Sequence, residues 1–304
     1  MPQALHRGAQ HAAPLLLLLG IVACSEAKHD KSAPASRAGQ LFTLLPSSYT
    51  GVTFANRLAE TRESNVFTYR NFYNGGGVAV GDLTGDSLPE IVLTSNEDGP
   101  RLYLNLGNFH FRDVTNEAGV SETGRWTTGV TLADVNGDGR LDIYVCHAGL
   151  KPGAARANTL YINQGMQNGV PVFREMAAAY GIADTGYSTQ AAFFDYDGDG
   201  DLDLFLIRNS PRPVSSIAVR NQRAIRDPLG GHRLYRNDGG RFVDVSEQAG
   251  IYGPEIGFGL GIAIADVNRD GRPDVYVAND FFERDYLYVN NGNGTFDEVL
   301  GKAM

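Results

Sequence analysis

Apolar and polar positions along this chain follow a pattern that recurs four times. A small or apolar run comes first, as "GGGVAV", "TTGVTL", "TQAAFF" and "GLGIAI". An acidic turn follows, in "VGDLTGDSLPEIVL" from Val80, "LADVNGDGRLDIYV" from Leu132, "FFDYDGDGDLDLFL" from Phe193 and "IADVNRDGRPDVYV" from Ile264. Each turn runs straight into a β-branched or aromatic stretch. A third element recurs as "RLYLNLG", "TLYINQG", "RLYRNDG" and "YLYVNNG". A fourth is "FRDVTNEAGV", "FREMAAAYGI", "FVDVSEQAGI" and the shorter "FDEVLGKAM". Short apolar runs bounded by Gly, Asn and Asp predict strands. "DVTNEAG" and its equivalents predict one short helical turn, and no stretch carries a long helical period.

Four short strands repeated at intervals of about 50 to 70 residues predict β-propeller blades, each unable to bury its faces alone. The strands after the acidic turns are apolar on both faces, which suits inner blade strands better than independent hairpin modules. The fold class expected is therefore all-β, with blades over roughly 74–123, 124–186, 187–256 and 257–304. Four blades are at the low end for such rings, so a larger, C-terminally truncated propeller is expected. Val52–Ala55 is strand-like and could close the ring by pairing with a last blade.

The acidic turns carry the candidate chemistry. From Asp195, carboxylates fall at positions 1, 3, 5, 7 and 9, with Gly200 at position 6. Unit charges about 4 Å apart repel by roughly 4 kcal/mol at an effective dielectric near 20, so such crowding calls for a cation. Hard oxygens on alternate residues around a Gly bend suit calcium. The third loop offers Asp195, Asp197, Asp199, the Asp201 carbonyl and Asp203. The second offers Asp134, Asn136, Asp138, the Arg140 carbonyl and Asp142. The fourth offers Asp266, Asn268, Asp270, the Arg272 carbonyl and Asp274. In the first, Asp82, Thr84, Asp86 and Glu90 remain, but Ser87 stands at the Gly position, so the weakest binding is expected there. An EF-hand is excluded, because position 12 is Leu206, Val145 or Val277 where a bidentate Glu is needed. Up to four calcium ions would rivet the blades and bring the formal charge from −9 to about −1. Metal-free Asp/Asn turns are the alternative.

Net charge of −9 argues against a broad nucleic-acid footprint. Near the N-terminus a weakly basic start precedes "LLLLLGIV", which fits the apolar core of an export signal. The run ends in "IVAC", which resembles the lipobox of bacterial lipoproteins. That resemblance implies a signal peptide over 1–23, lipid on Cys24 and membrane anchorage, with Ser25 favouring the outer membrane or surface of a Gram-negative cell. Residues 24–40 read as a flexible tether. The second cysteine, Cys146, sits in an apolar strand and is expected to be a buried thiol.

The loops, with "GFGLGIAIADVN" and "LYVNNGNGTF", resemble the FG-GAP/VCBS repeats of integrin-like propellers. "YNGGGVAVGDL", "GVTLADVNGDGRLDIYVCHAG" and "YVANDFFERDYLYVNNGNGTF" resemble bacterial VCBS-repeat lipoproteins, whose chains often end in an ASPIC/UnbV domain, as in cartilage acidic protein relatives. The resemblance implies calcium-stabilised propellers used for adhesion or ligand binding on the cell envelope. No nucleophile constellation stands out: His110, His147 and His232 fall in different blades. Residues 208–236 carry seven arginines against one acid, Asp227; Arg212, Arg220, Arg223 and Arg226 are candidates for an anionic glycan or protein partner. Phe281 and Phe282 are candidate ligand contacts, and Trp126 reads as packing. A non-enzymatic binding module is the leading expectation. A carbohydrate-active enzyme, or its accessory subunit, with its site in inserted loops or further blades is the rival.

Overall fold

The computed structural model describes residues 39–212, 223, 225–254, 256–281 and 283–303. Cys24, the expected signal peptide, most of the tether, Arg220 and Phe282 lie outside the described residues. Among the described residues, sixteen strands form four antiparallel sheets in a β-propeller arrangement. Blade one holds β1 (Val78–Gly81), β2 (Glu90–Ser95), β3 (Gly99–Asn105) and β4 (Phe111–Asp113). Blade two holds β5 (Trp126–Ala133), β6 (Asp142–Ala148), β7 (Thr159–Gln167) and β8 (Val170–Glu175). Blade three holds β9 (Ser188–Phe194), β10 (Asp203–Arg208), β11 (Arg233–Asn237) and β12 (Phe242–Asp244). Blade four holds β13 (Gly259–Ala265), β14 (Asp274–Asn279), β15 (Tyr286–Asn290) and β16 (Phe296–Glu298).

The two-residue period of a strand explains how blades stack. In β10, Leu204 and Leu206 enter the apolar layer shared with blade two, while Phe205 and Ile207 enter the layer shared with blade four. All four are fully buried, so successive residues serve opposite faces. β6 does the same: Ile143 and Val145 face blade one, and Tyr144 and Cys146 face blade three. Inner strands β1, β5, β9 and β13 follow one another across the blades. The end blades each turn an apolar edge outward, with Val78 and Val80 about 60% exposed at one end and Val267 about 50% exposed at the other.

A hydroxyl girdle reinforces the junctions near the inner strands. Thr94 Oγ1 donates to Thr128 O, Thr128 Oγ1 to Ser188 O (2.8 Å) and Thr189 Oγ1 to Gly259 O (2.9 Å). Each bond crosses from one blade to the next.

A second clamp lies at the outer strands. Gly119, Gly181 and Gly250 end the fourth element of blades one, two and three, all with φ near +80°. A Cβ on each would fall 3.2, 2.8 and 2.8 Å from the carbonyl oxygen of Phe173, Phe242 and Phe296 in the following blade. Residues before blade one repeat this element. The helical turn α1 (Ser47–Thr50) ends at Gly51, φ +77°, whose Cβ would lie 2.3 Å from Phe111 O. Blade two has the counterpart α2 (Ala177–Tyr180), and blade four ends in α3 (Leu300–Ala303). The expectation for Val52–Ala55 is corrected accordingly: it forms no strand. It follows a turn docked on β4, held by Tyr49 O against His110 Nδ1 (2.7 Å) and by Asn56 against Asn96. Side chains, not a ladder, fix its path.

Residues 56–75 then form a strap across the blade ends opposite the acidic turns. Tyr69 and Phe72 pack on Trp126, Ala148 and Tyr187, which makes Trp126 a packing residue. Arg70 donates to Asn209 Oδ1 (3.0 Å) and Arg212 O (3.0 Å), and its guanidinium lies 4.9 and 4.8 Å from the ring centroids of Phe258 and Phe281.

Gly250→Ala should separate the clamp from simple backbone preference. Left-handed backbone costs a non-glycine about 1–2 kcal/mol, and the clash with Phe296 O adds to it. Gly239, φ +65°, meets nothing within 4 Å. Urea unfolding should therefore show Gly239→Ala losing about 1 kcal/mol and Gly250→Ala at least about twice that; equal losses would remove the clamp from the argument.

Candidate metal centres

Each acidic turn joins the first strand of its blade to the second, and two carboxylates build it. The first accepts backbone N–H groups from farther round the loop. Asp195 takes Gly198 N (2.7 Å) and Gly200 N (3.0 Å); Asp82 takes Gly85 N (2.7 Å) and Ser87 N (2.8 Å). Asp134 and Asp266 accept from Gly139 and Gly271 at 2.8 and 2.9 Å. The curl requires left-handed backbone at positions 4 and 6. Gly85, Gly137 and Gly198 supply the former and Gly139, Gly200 and Gly271 the latter, with φ from +69° to +98°. Two residues adopt it without being glycine: Ser87 (φ +70°) and Arg269 (φ +63°). The degraded first loop therefore keeps the backbone path of the others.

The ninth-position carboxylate is the less obvious member. Glu90, Asp142, Asp203 and Asp274 are at most 1% exposed. One oxygen of each accepts the N–H of position 2: Leu83 (2.8 Å), Val135 (3.0 Å), Tyr196 (3.0 Å) and Val267 (2.9 Å). The other accepts the N–H of an Asn in the third strand: Asn105 (3.2 Å), Asn163, Asn237 and Asn290 (2.8 Å each). Two of these asparagines also reach back a blade, Asn163 Nδ2 to Leu83 O (3.0 Å) and Asn290 Nδ2 to Tyr196 O (2.8 Å). The recurring "LY-x-N" holds the signal for this contact, but only the structure shows what the Asn binds.

Desolvation pushes Asp203 up to about 7 and Asp142 up to about 6, against the N–H donors that stabilise their charge. Neighbouring loop carboxylates raise both further. Glu90 is raised for the same leading reason. For Asp82, burial raises the pKa but the loop N–H donors, Ser87 first, outweigh it and hold it low.

The third loop fits a cation. Asp195, Asp197 and Asp203 each place a carboxylate oxygen within 4.8 Å of the others, among the described residues the one such cluster of carboxylate, imidazole or thiol groups. An all-oxygen set of this kind suits calcium. Loops two and four differ at position 5. Asp138 Oδ2 is held by Arg140 Nη2 (2.5 Å) and Asn136 Nδ2 (3.0 Å), and Asp270 Oδ2 by Arg272 Nη2 (2.5 Å) and Asn268 Nδ2 (2.8 Å). In those loops a guanidinium from position 7 already faces the position-5 carboxylate. Asp199 accepts the Asp201 N–H (2.9 Å), and Asp86 accepts the Leu88 N–H (2.8 Å) while Thr84 bonds Asp82.

Among the described residues, arginines of the arginine-rich stretch have partners within the fold. Arg212 pairs with Asp227 (2.9 Å) and Arg223 with Glu283 (2.7 Å). Arg226 donates to Ile251 O and His232 O. Arg208, buried, pairs with Asp184, and Arg233 with Asp244. Their charge serves junctions inside the fold. Phe281 is half exposed and meets Phe258 edge-to-face. His147, fully buried, bonds Glu122 (2.7 Å), which also accepts from Tyr161 and Thr159. Cys146 is a free, buried thiol whose pKa burial raises. No described helix is long and apolar enough to cross a membrane.

With this geometry in view, a family described as FG-GAP-like repeat matches residues 82–145, 224–277 and 266–301. Cartilage acidic protein 1 of Mus musculus is 32% identical over 223 residues, 73% of this chain and 31% of that protein. The Homo sapiens protein is 31% identical over 227 residues, 74% and 31% respectively. The chain thus spans about a third of the length of these curated relatives. A solved structure concerning N-acetylglucosamine recognition by an Agrocybe aegerita lectin covers 72% of this chain and 50% of its own, at 22% identity and a TM-score of 0.37, too distant to carry an argument.

Two outcomes test these environments. Ser87→Gly relieves a non-glycine left-handed residue and should stabilise the chain by up to about 1 kcal/mol in urea unfolding. His232 is fully buried; desolvation, then Arg208, Arg233 and Arg226, lower its pKa from 6.5 to about 3. Its folded value lies below its unfolded one, so its contribution is complete above pH 6.5 and is lost as pH falls from there towards 3. Over that window wild type should lose stability more steeply than His232→Asn, by the slope of one proton, in urea unfolding at stepped pH.

Proposed function

We propose, for a chain that carries FG-GAP-like repeats and resembles cartilage acidic protein 1, a calcium-stabilised propeller that presents its loops for ligand binding or adhesion. The convergence of Asp195, Asp197 and Asp203 within 4.8 Å is the observation that carries the calcium reading. Bound calcium supplies the positive charge that offsets carboxylate repulsion. The protein's part is to hold the donors in place: the loop N–H groups fix Asp195, and Tyr196 N and Asn237 N fix Asp203. Loop one, with Thr84 where the others carry Asn or Asp at position 3, and loops two and four, with an arginine on the position-5 carboxylate, bind more weakly. A structural role fits a loop repeated in every blade, whereas catalysis needs one differentiated place. Lipidation at Cys24, supported by "IVAC", would hold the propeller at the outer membrane or cell surface.

Thermal unfolding in EGTA, in millimolar calcium and in millimolar magnesium tests the reading. Ligand at a hundred times its Kd stabilises by about 2.7 kcal/mol per site, so calcium alone should raise the midpoint by several degrees. Among the described residues, the Asp197 carboxylate accepts only a long 3.4 Å bond from Asp199 N. Asp197→Asn should therefore melt in EGTA no lower than wild type while losing most of the calcium response. A melt indifferent to calcium would sink the proposal.

A further inference from the structure

The acidic turns share one backbone path in every blade; the residues at the opposite end of the inner strands differ from blade to blade. There each inner strand of blades two to four carries extra residue against its partner. Thr128 and Gly129 lie between the pairs Thr127–His147 and Val130–Val145. Thr189 lies between Ser188–Arg208 and Gln190–Ile207, and Leu260 between Gly259–Asn279 and Gly261–Ala278. Gly76 holds the same position in blade one, six residues before the first loop aspartate, as Thr128, Thr189 and Leu260 do in theirs. A β-bulge turns side chains out of the alternating order and re-aims them. All four positions line a single cavity of about 380 Å³ at the inner edge of the blades.

The strap forms the other wall, through Tyr69, Asn71 and Asn74, and Gln190 reaches in from blade three. None of the lining side chains is charged. The Thr128 and Thr189 hydroxyls spend their protons on Ser188 O and Gly259 O, which leaves their oxygens as acceptors. Gln and Asn amides offer donors and acceptors together. Leu260, 44% exposed, and Tyr69 add apolar surface. The volume falls within the range of small-ligand sites, about 300–1,000 Å³.

We propose that this axial cavity binds an uncharged, hydroxyl-rich ligand, a neutral pyranoside ring. A charged ligand would lose hydration with no counter-charge to receive it, and a purely apolar one would leave the amides unpaired. Alternating hydroxyls match amide and threonine partners, and the ring's C–H face matches Leu260 and Tyr69. Gly, Thr, Thr and Leu at four equivalent positions make one specialised place in an otherwise repeated frame. The assignment rests on the ligand-binding reading above and names the site and ligand class for it.

Saturation-transfer NMR of the full chain, in millimolar calcium, tests it with methyl glucoside, methyl galactoside, methyl mannoside and glucuronate as probes. At least one neutral glycoside should receive saturation and glucuronate none. Leu260→Trp, which fills the cavity from an exposed position, and Gln190→Ala should each weaken that binding at least tenfold while keeping a cooperative melt. Three results overturn the inference: no neutral glycoside bound by folded wild type, equal binding of glucuronate, or binding undiminished in a folded Leu260→Trp. The last leaves ligand binding standing and removes only the axial site. A calcium-indifferent melt touches the calcium reading alone.

Discussion

Four buried carboxylates hold this structure in register. Glu90, Asp142, Asp203 and Asp274 each join the start of an acidic turn to the third strand through two backbone N–H groups. A buried charge is tolerated only when its oxygens are well supplied with donors. Here the donors come from two separate segments, so the carboxylate fixes both the turn and the strand spacing. The asparagine that donates also bonds the preceding blade at two junctions. Turn, sheet and neighbouring blade are thus set by one group, and the apolar layers pack within the frame it defines.

That dual duty explains why metal and fold are hard to separate in such a turn. Asp203 supports the backbone and also completes the carboxylate cluster with Asp195 and Asp197. Replacing it would remove a structural crosslink and a member of the carboxylate cluster together. Asp197 has no comparable backbone duty, so the two roles part there. In loops two and four the arginine at position 7 takes up part of the negative charge, a local answer to the crowding that leaves loop three the most demanding of a cation.

Much of the fold was legible because repetition multiplies weak signals. One apolar run such as "LDLFLI" could be strand or buried helix; four of them in phase with turns could only be blades. The acidic loops were legible through Asp and Gly spacing, including the left-handed bend at position 6. Position 4 escaped notice because Arg269 breaks its glycine pattern while keeping the backbone. For the arginine stretch, composition records charge but not its partners, and Asp184, Asp244 and Glu283, which pair with described arginines there, come from other parts of the chain. Val52–Ala55 differed for another reason: its β-branched and aromatic character fits a strand, while the docked turn before it and the Asn56–Asn96 bond after it hold it as irregular chain. The axial bulges shift strand register without changing composition, so the cavity they open left no mark in the hydrophobic pattern.

The strap from residue 56 to 75 has a mechanical meaning. Blades joined only to their neighbours would peel apart one at a time when pulled from one end. Here the chain enters along blade one and then crosses to seat Arg70 over the rings of Phe258 and Phe281 in blade four and against Asn209 in blade three. Tension arriving from the N-terminal side is therefore delivered to the far blades as well as the near one. It loads the assembly in shear, where many bonds must yield together, and a molecule tethered at that end would resist detachment accordingly.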